Sequence, residues 1–152
     1  MDWDRRKMRA VITRVTSASA IIEKKIVGKI NHGLLILLGI ERNDEIHDVV
    51  KLIKKIITLR IFDNNKGMNK CIMDVAGEAL VISQFTLCAN TKKGCRPSFN
   101  EAESPIRAKK LYNEFCKLLN KNVPIQTGTF GAHMQIKSIN DGPVTIILNT
   151  NE

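Results

Sequence analysis

Residues able to do chemistry concentrate in two short segments of the chain. In the first, residues 83–87 (SQFTL), an apolar run reaches hydroxyl and amide side chains, as at a strand that ends beside a pocket. The second, residues 140–145 (NDGPVT), combines Asn, Asp, Gly and Pro. Pattern alone favours plainer interpretations: a strand end that faces water, and an ordinary turn between strands.

The usual catalytic devices do not occur in the sequence. There is no GxSxG, P-loop, HExxH or GxGxxG motif. The histidines His32, His47 and His133 are predicted in a turn, on a helix and in a strand, and they are assigned no role. The four cysteines form no CxxC pair or zinc ligand set. We therefore expect reduced thiols, no metal and no cofactor.

Charge and hydropathy limit the partners and the compartment. The 152 residues carry 24 Lys and Arg against 15 Asp and Glu, a formal charge of +9, which favours a nucleic-acid partner without requiring one. No apolar run approaches the ~20 residues of a membrane span. The N-terminus also lacks the apolar core of a signal peptide. We expect a cytoplasmic protein with no membrane contact.

The elements that must position the two segments are mostly strands. Partial alternation and β-branched residues predict two or three antiparallel strands within residues 9–30. Continuous apolar runs predict buried strands at 34–40 and 79–87. Residues 123–149 return to strand character. The sequence thus predicts a sheet built from both ends of the chain.

Two helices are predicted between these strands. Asp44 is the expected N-cap of the first, and Ser104 followed by Pro105 is expected to begin the second. Both helices carry apolar residues at helical spacing. In the first helix these are Ile46, Val49, Val50, Ile53, Ile56 and Ile57, and in the second they are Ala108, Leu111, Tyr112, Phe115 and Leu119.

Taken in order, the segments resemble the D-aminoacyl-tRNA deacylase (D-tyrosyl-tRNA(Tyr) deacylase) family. Its signatures, a Ser-Gln-x-x-Leu strand and a late Gly-Pro followed by Val-Thr, are both present. The similarity runs from Met8 over nearly the whole chain, and it departs at Lys24, where a turn glycine is commoner, and at Ser138. Further segments matching in order and spacing are 8–15, 59–62, 67–69, 91–99 and 128–134.

The resemblance implies the fold class and the domain boundaries. The expected fold is α/β: a mixed β-sheet in barrel-like layers with two helices. A single deacylase domain is expected to span residues 8–152. Residues 1–7 precede the family's usual start, either as an N-terminal extension or through a misassigned initiator, and are expected to carry no site.

The resemblance also implies a homodimer with a chiral filter. Gly142-Pro143 of one subunit, in the cis form, would reach into the pocket of the other. Its carbonyl oxygens would accept hydrogen bonds from the substrate's α-amino group and fill the space that an L side chain needs. D-aminoacyl-tRNA and glycyl-tRNA would then be substrates. Arg14 matches the family arginine that braces the Gly-Pro segment.

Two routes for the hydrolytic step stay open. Thr86 can act as a nucleophile, but no Lys or His is adjacent in sequence to serve as its base. The favoured route is substrate-assisted: the free 2'-hydroxyl of the terminal adenosine activates water or attacks the ester itself. Backbone N–H groups of Phe85 and Thr86 would stabilise the oxyanion.

The remaining predicted site residues bind the tRNA. Ser83 and Gln84 are expected to position the terminal adenosine, and Phe130 and Met134 to wall its adenine pocket. Three basic residues of one loop are expected to contact the acceptor-stem phosphates, and a loop that faces only solvent is an equal alternative. These residues are Lys92, Lys93 and Arg96.

Two other functions compete with this assignment. A non-catalytic RNA-binding module would suit the basic charge, but aromatic residues make up only 5% of the chain and no RNP-like run occurs. A hydrolase of another small ester, acting through Thr86 alone, would lack a base. Cleavage of model esters without tRNA would favour that second alternative.

Overall fold

A six-stranded mixed sheet forms the framework of the protein in the computed structural model, which describes residues 7–151. The elements occur in the order β1 (Arg9–Ile22), β2 (Lys25–Ile30), β3 (Gly33–Gly39), α1 (Ile46–Thr58), β4 (Phe62–Asn64), β5 (Gly67–Lys70), β6 (Glu78–Ser83), a 3-10 helix (Phe85–Cys88), α2 (Pro105–Leu119), β7 (Ile125–Thr127) and β8 (Gln135–Asn149). The predicted α/β fold class with two α-helices is confirmed.

β1 is the strand on which the sheet is built. It pairs antiparallel with β2, β3 and β8, and its pairing with β8 extends from Arg9 opposite Asn149 to Ile21 opposite Gln135. β6 joins β3 in parallel and β7 joins β6 in parallel. The two ends of the chain therefore meet in adjacent strands.

The central strand β3 supplies both sides of the core. Leu34, Ile36 and Leu38 enter a large cluster that includes residues of α1 and α2. Leu35 enters a smaller cluster together with Leu80 and other residues of β1, β2 and β6. Alternate side chains of a strand point to opposite faces, so the continuous apolar run of β3 is buried on both faces as predicted.

α1 begins one residue later than the sequence suggests. Its N-cap is Glu45, which forms a capping box with Asp48, so the prediction of Asp44 as N-cap is wrong. The Asp44 carboxylate instead accepts hydrogen bonds from the N–H groups of Met8, at 3.0 Å, and Glu41, at 2.7 Å. These hydrogen bonds fix Asp44 in the loop that precedes the helix. α2 begins after Ser104 with Pro105 in its first position, as predicted.

Two predicted strands are shorter in the structure. The strand expected at 79–87 ends at Ser83, because its ladder partner β3 ends one residue after Leu38, the partner of Ser83. The 3-10 helix follows. In the last third of the chain, β7 and β8 are separated by a loop that contains His133. The prediction of His133 within a strand is therefore wrong.

The structure tests the expectations about the N-terminus, membrane helices and metal sites only within residues 7–151. Residues 1–6 of the predicted extension lie outside the described residues; in Lys7, Nζ is 3.9 Å from Oδ2 of Asp48. No helix within residues 7–151 is long and apolar enough to cross a membrane. The same residues contain no group of three or more His, Cys, Asp or Glu side chains placed to hold a metal ion.

Candidate active site

A cleft of about 580 Å³ opens beyond the carboxyl end of β6. Its floor and sides come from β6, the 3-10 helix, the first turns of α2 and the loop between β7 and β8. The lining residues are Ile40, Ser83, Gln84, Phe85, Thr86, Phe99, Ala102, Glu103, Ser104, Pro105, Ala108, Phe130, Gly131 and Ala132. Because most of these side chains are apolar, the few polar groups are placed to orient a ligand.

The 3-10 helix begins at the edge of this cleft. Gln84 N–H closes the sheet by donating to the Leu38 carbonyl at 2.8 Å, and the chain then turns into the helix. The first N–H groups of a helix have no partner within it. Those of Phe85 and Thr86 stand at this position, on two residues that line the cleft. Such a pair suits a developing oxyanion.

Side-chain hydrogen bonding holds the Thr86 hydroxyl. Gln84 Nε2 donates to Thr86 Oγ1 at 3.1 Å, so Thr86 Oγ1 acts as an acceptor. A hydroxyl activated as a nucleophile must in addition donate its proton to a base. No histidine or lysine is among the residues that line this cleft.

Aromatic rings form the walls of the cleft. Phe85 and Phe99 make an edge contact with their centroids 5.0 Å apart, and Tyr112 and Phe130 stand 5.8 Å apart. The Tyr112 hydroxyl donates to the Val81 carbonyl at 2.6 Å, and burial raises its pKa. Tyr112 therefore stays protonated and supports Phe130 from beneath.

Glu103 is the carboxylate that lines the cleft. Burial opposes its ionisation, but the Ser104 N–H group and the Arg107 guanidinium outweigh burial and lower its pKa. Glu103 Oε1 accepts from the Ser104 N–H at 2.8 Å and Oε2 accepts from Arg107. A carboxylate committed to these donors joins α2 to the preceding loop and is a poor general base.

The second predicted segment lies apart from this cleft, on β8. β8 stays in register with β1 at Thr13 opposite Thr145 and at Val15 opposite Asn140, so residues 141–144 bulge out opposite Arg14. They form a bulge within one strand rather than a turn between two. The peptide bond between Gly142 and Pro143 is cis, and both residues are exposed.

Arg14 fills the space beneath this bulge. Its Nε donates to the Asp141 carbonyl at 2.9 Å and its Nη1 donates to the Ile61 carbonyl at 2.7 Å. The side chain is only 7% exposed. A buried guanidinium with two carbonyl acceptors fixes the backbone it contacts, so Arg14 anchors the bulge that presents Gly142 and Pro143 to solvent.

Comparison with known proteins adds the family to this geometry. The family model for D-Tyr-tRNA(Tyr) deacylase matches residues 11–149. The chain belongs to this family. A D-aminoacyl-tRNA deacylase of Thermosipho africanus is 51% identical over 149 residues, which cover 95% of this chain and 99% of the relative. One from Aquifex aeolicus is 48% identical over 147 residues, with the same coverage of each.

Two solved structures share the fold of this chain. The structure of c-Myc DNA Unwinding Element Binding Protein has a TM-score of 0.88 at 38% identity, and the match covers 93% of this chain and 98% of that one. A probable eukaryotic D-amino acid tRNA deacylase has a TM-score of 0.79 with the same coverage, but at 14% identity it supports the fold alone. The predicted family and deacylase class of enzyme are confirmed.

The structure of this deacylase brings together some of the predicted site residues. Ser83, Gln84, Phe85, Thr86 and Phe130 all line the cleft. Sequence reasoning did not identify Phe99, Glu103 or Pro105 as lining residues. Phe99 ends a segment that matches the family, and Pro105 marks a helix start, so a weak signal existed for both.

Other predicted site residues of the deacylase lie elsewhere. Arg14, Gly142 and Pro143 belong to the β8 bulge. Met134 is not among the cleft residues: its Sδ accepts from the Thr129 N–H at 3.4 Å, and its side chain packs on the smaller core cluster. The expected phosphate contacts lie in the exposed segment 91–97, which leads into the cleft residue Phe99. These are Lys92, Lys93 and Arg96.

Proposed function

We propose that this protein hydrolyses the ester bond that joins a D-amino acid to the terminal adenosine of tRNA. The observation that carries the proposal is the pair of N–H groups on Phe85 and Thr86, at the start of a 3-10 helix and beside a cleft of about 580 Å³. A cleft of this volume is of the size that takes a nucleoside. The family model and the formal charge of +9 support tRNA as the source of that nucleoside.

The chemical step is assisted by the substrate. The 2'-hydroxyl of the terminal adenosine positions a water molecule and takes one of its protons as it passes its own towards the 3'-oxygen, while the water oxygen attacks the ester carbonyl carbon. The N–H groups of Phe85 and Thr86 bind the oxyanion that forms. The bond from the carbonyl carbon to the 3'-oxygen then breaks, and the 3'-oxygen takes up the proton. Ser83 and Gln84 hold the adenosine so that these atoms meet.

Selection against L-aminoacyl-tRNA comes from the β8 bulge of a second subunit. Gly142 and Pro143 are exposed and stand apart from the cleft of their own chain, so a homodimer is the simplest arrangement that brings them to a cleft. There they occupy the volume of an L side chain, and a D side chain points away from them. Glycine has no side chain to exclude, so glycyl-tRNA is also a substrate.

The edge strand β8 supports the dimer. It has 15 residues and pairs with β1, and no other described strand pairs with it. Ile139 and Ile147 on this strand are 60% and 66% exposed. A long edge with exposed apolar side chains favours association with another chain. We therefore place the contact between subunits at β8.

The phosphate contacts and the compartment follow from the substrate. Segment 91–97 carries three basic residues beside the cleft, and these contact the phosphates nearest the terminal adenosine. They are Lys92, Lys93 and Arg96. Since tRNA is charged and used in the cytoplasm, we place the protein there.

Release of amino acid from matched D-tyrosyl-tRNA and L-tyrosyl-tRNA tests the proposal. The purified protein should release D-tyrosine and leave the L-ester intact, and glycyl-tRNA should also be cleaved. Binding of tRNA without cleavage of any ester would instead favour an RNA-binding module. Equal cleavage of both tyrosyl esters would leave a hydrolase and remove the chiral filter.

Gly142→Ala tests the filter separately from the chemistry. Gly142 has φ +137, and a Cβ there would lie 2.8 Å from Val144 Cγ2 and 3.1 Å from Arg14 Nη2, so the bulge must shift. Gly67→Ala is the matched control, because Gly67 has φ +112 with nothing within 4 Å of an added Cβ. Only Gly142→Ala should change the ratio of D-tyrosyl to L-tyrosyl ester cleavage. The same ratio in the two variants would contradict the filter.

A further inference from the structure

The outward face of α2 begins at the rim of the cleft. Ser104, Pro105 and Ala108 line the cleft at the start of this helix, and the rest of α2 extends beyond them. Its exposed side carries the α2 lysine face, which we define as Lys109, Lys110 and Lys117 together with Lys121 just beyond the last turn.

Helix geometry sets Lys110 and Lys117 along one line, while Lys109 projects about 100° around the helix from Lys110. Residues seven apart on a helix lie two turns apart on nearly the same side. Lys110 and Lys117 therefore stand about 8 and about 18 Å beyond Pro105 along the helix axis. The charges form a track that begins beside the cleft and leads away from it.

Carboxylates do not neutralise this track. The salt bridge recorded on α2 joins Arg107 to Glu103, and both residues lie near the cleft. Glu114 is the acidic residue within the helix itself, and it is half-buried. Within residues 7–151 no carboxylate forms an ion pair with the lysines of the face. They keep their charge available to a partner in solution.

We propose that the α2 lysine face binds the phosphate backbone of the acceptor stem of the tRNA whose terminal adenosine occupies the cleft. This inference rests on the proposed function. An RNA strand with its 3' end in the cleft must leave across the rim, and α2 offers positive charge along such a path. Lysine binds phosphate as a point charge without reading bases, so the contact serves tRNAs of any sequence.

The double variant Lys110→Gln/Lys117→Gln tests the face against two substrates. One is D-tyrosyl-tRNA, and the other is 3'-(D-tyrosyl)adenosine, which fills the cleft and has no stem. We expect kcat/KM on the tRNA to fall on the order of tenfold at 0.1 M salt, because two phosphate contacts are lost. The slope of log kcat/KM against log salt should fall by about 1.5. Cleavage of the adenosine ester should be unchanged.

Lys24→Gln/Lys25→Gln is the matched control. Of these exposed lysines, Lys24 lies in the turn between β1 and β2 and Lys25 begins β2, at the end of β1 opposite to Arg9, which pairs with Gly39 near the cleft. The control removes the same charge and should leave both the tRNA rate and the salt slope as in the unmodified protein. Equal losses in the two double variants would reduce the effect to net charge and overturn the proposal.

Two further outcomes separate this inference from the proposed function. An equal loss on tRNA and on the adenosine ester would mean that the substitutions damage the cleft, and it would overturn the α2 contact. If the unmodified protein cleaves neither ester, the proposed function fails. Binding of uncharged tRNA then tests whether the α2 lysine face contacts RNA. Weaker binding by the α2 variant alone would then support the face, and unchanged binding would overturn it.

Discussion

At the scale of single residues, the site depends on backbone groups more than on side chains. The described cleft residues include one carboxylate, Glu103, which is held by Ser104 and Arg107. Cys88 is the buried last residue of the 3-10 helix, and burial raises its pKa to about 12, so it carries no thiolate at neutral pH. A site of this composition favours a reaction in which the substrate supplies its own reactive hydroxyl.

Thr86→Ala separates the two chemical routes. Because Thr86 Oγ1 accepts from Gln84 Nε2 and has no base, its loss should reduce kcat on D-tyrosyl-tRNA by no more than about threefold, against the roughly 10²-fold or greater loss expected of an essential group. Single-turnover kinetics would measure the chemical step. A loss of 10²-fold or more would assign the nucleophile to Thr86.

Arg14→Ala tests the anchor beneath the β8 bulge. The substitution removes the donors of the buried bond to the Ile61 carbonyl and of the part-buried bond to the Asp141 carbonyl, which should cost about 2 to 4 kcal/mol of unfolding free energy. Urea unfolding measures this loss. Deacylation of D-tyrosyl-tRNA should also weaken while the protein remains folded, and unchanged turnover would contradict the anchoring role.

At the scale of elements, local patterns predicted most strands and both helices. The continuous apolar run from Leu34 to Ile40 predicted a buried strand, and Ser104 followed by Pro105 predicted the start of a helix. The end of β6 could not be predicted, because it depends on where its partner β3 ends. The role of Asp44 was missed for a similar reason: its hydrogen-bond donor Met8 lies 36 residues away.

The Asp44 loop makes stability depend on pH. Burial raises the pKa of the Asp44 carboxyl from 3.8 to about 7, against the opposing N–H groups of Glu41 and Met8. A folded pKa above the unfolded one means that the neutral form stabilises the fold. This stability is complete below pH 3.8 and is lost as pH rises through about 7.

Unfolding in urea at several pH values checks this expectation. Between pH ~5 and ~8 the free energy of unfolding should fall, with a contribution from Asp44 on the order of 2 to 4 kcal/mol. Carboxyl carbon NMR should give Asp44 a midpoint near 7. A midpoint near 4 would contradict the assignment, and stability that rises over this range would do so too.

At the scale of the whole molecule, the sequence offered no pattern for the surface that would join two subunits. The resemblance implied that residues 83–87 and 140–145 meet only between subunits, and within one chain the cleft and the β8 bulge lie apart. The exposed residues Ile139 and Ile147 of β8 appear in the sequence as ordinary members of a strand. Their exposure depends on β8 being an edge, which only the assembled sheet defines.

Ile147→Lys tests whether β8 is the contact between subunits. A charge on this edge should convert a dimer to a monomer in sedimentation velocity, because desolvating an unpaired lysine opposes association. Ile106→Lys is the matched control, since Ile106 is 89% exposed on α2 and should leave the dimer intact. A dimer that survives Ile147→Lys would place the contact elsewhere.

The pairing of β1 with β8 has a consequence for how the protein is made. β1 leaves the ribosome early. Its partner β8 pairs with it from Ile21 opposite Gln135 to Arg9 opposite Asn149, and β8 is among the last segments synthesised. Contacts so distant in sequence form slowly. The sheet and the bulge it carries are therefore completed only as synthesis ends, so a nascent chain bound to the ribosome lacks the finished bulge.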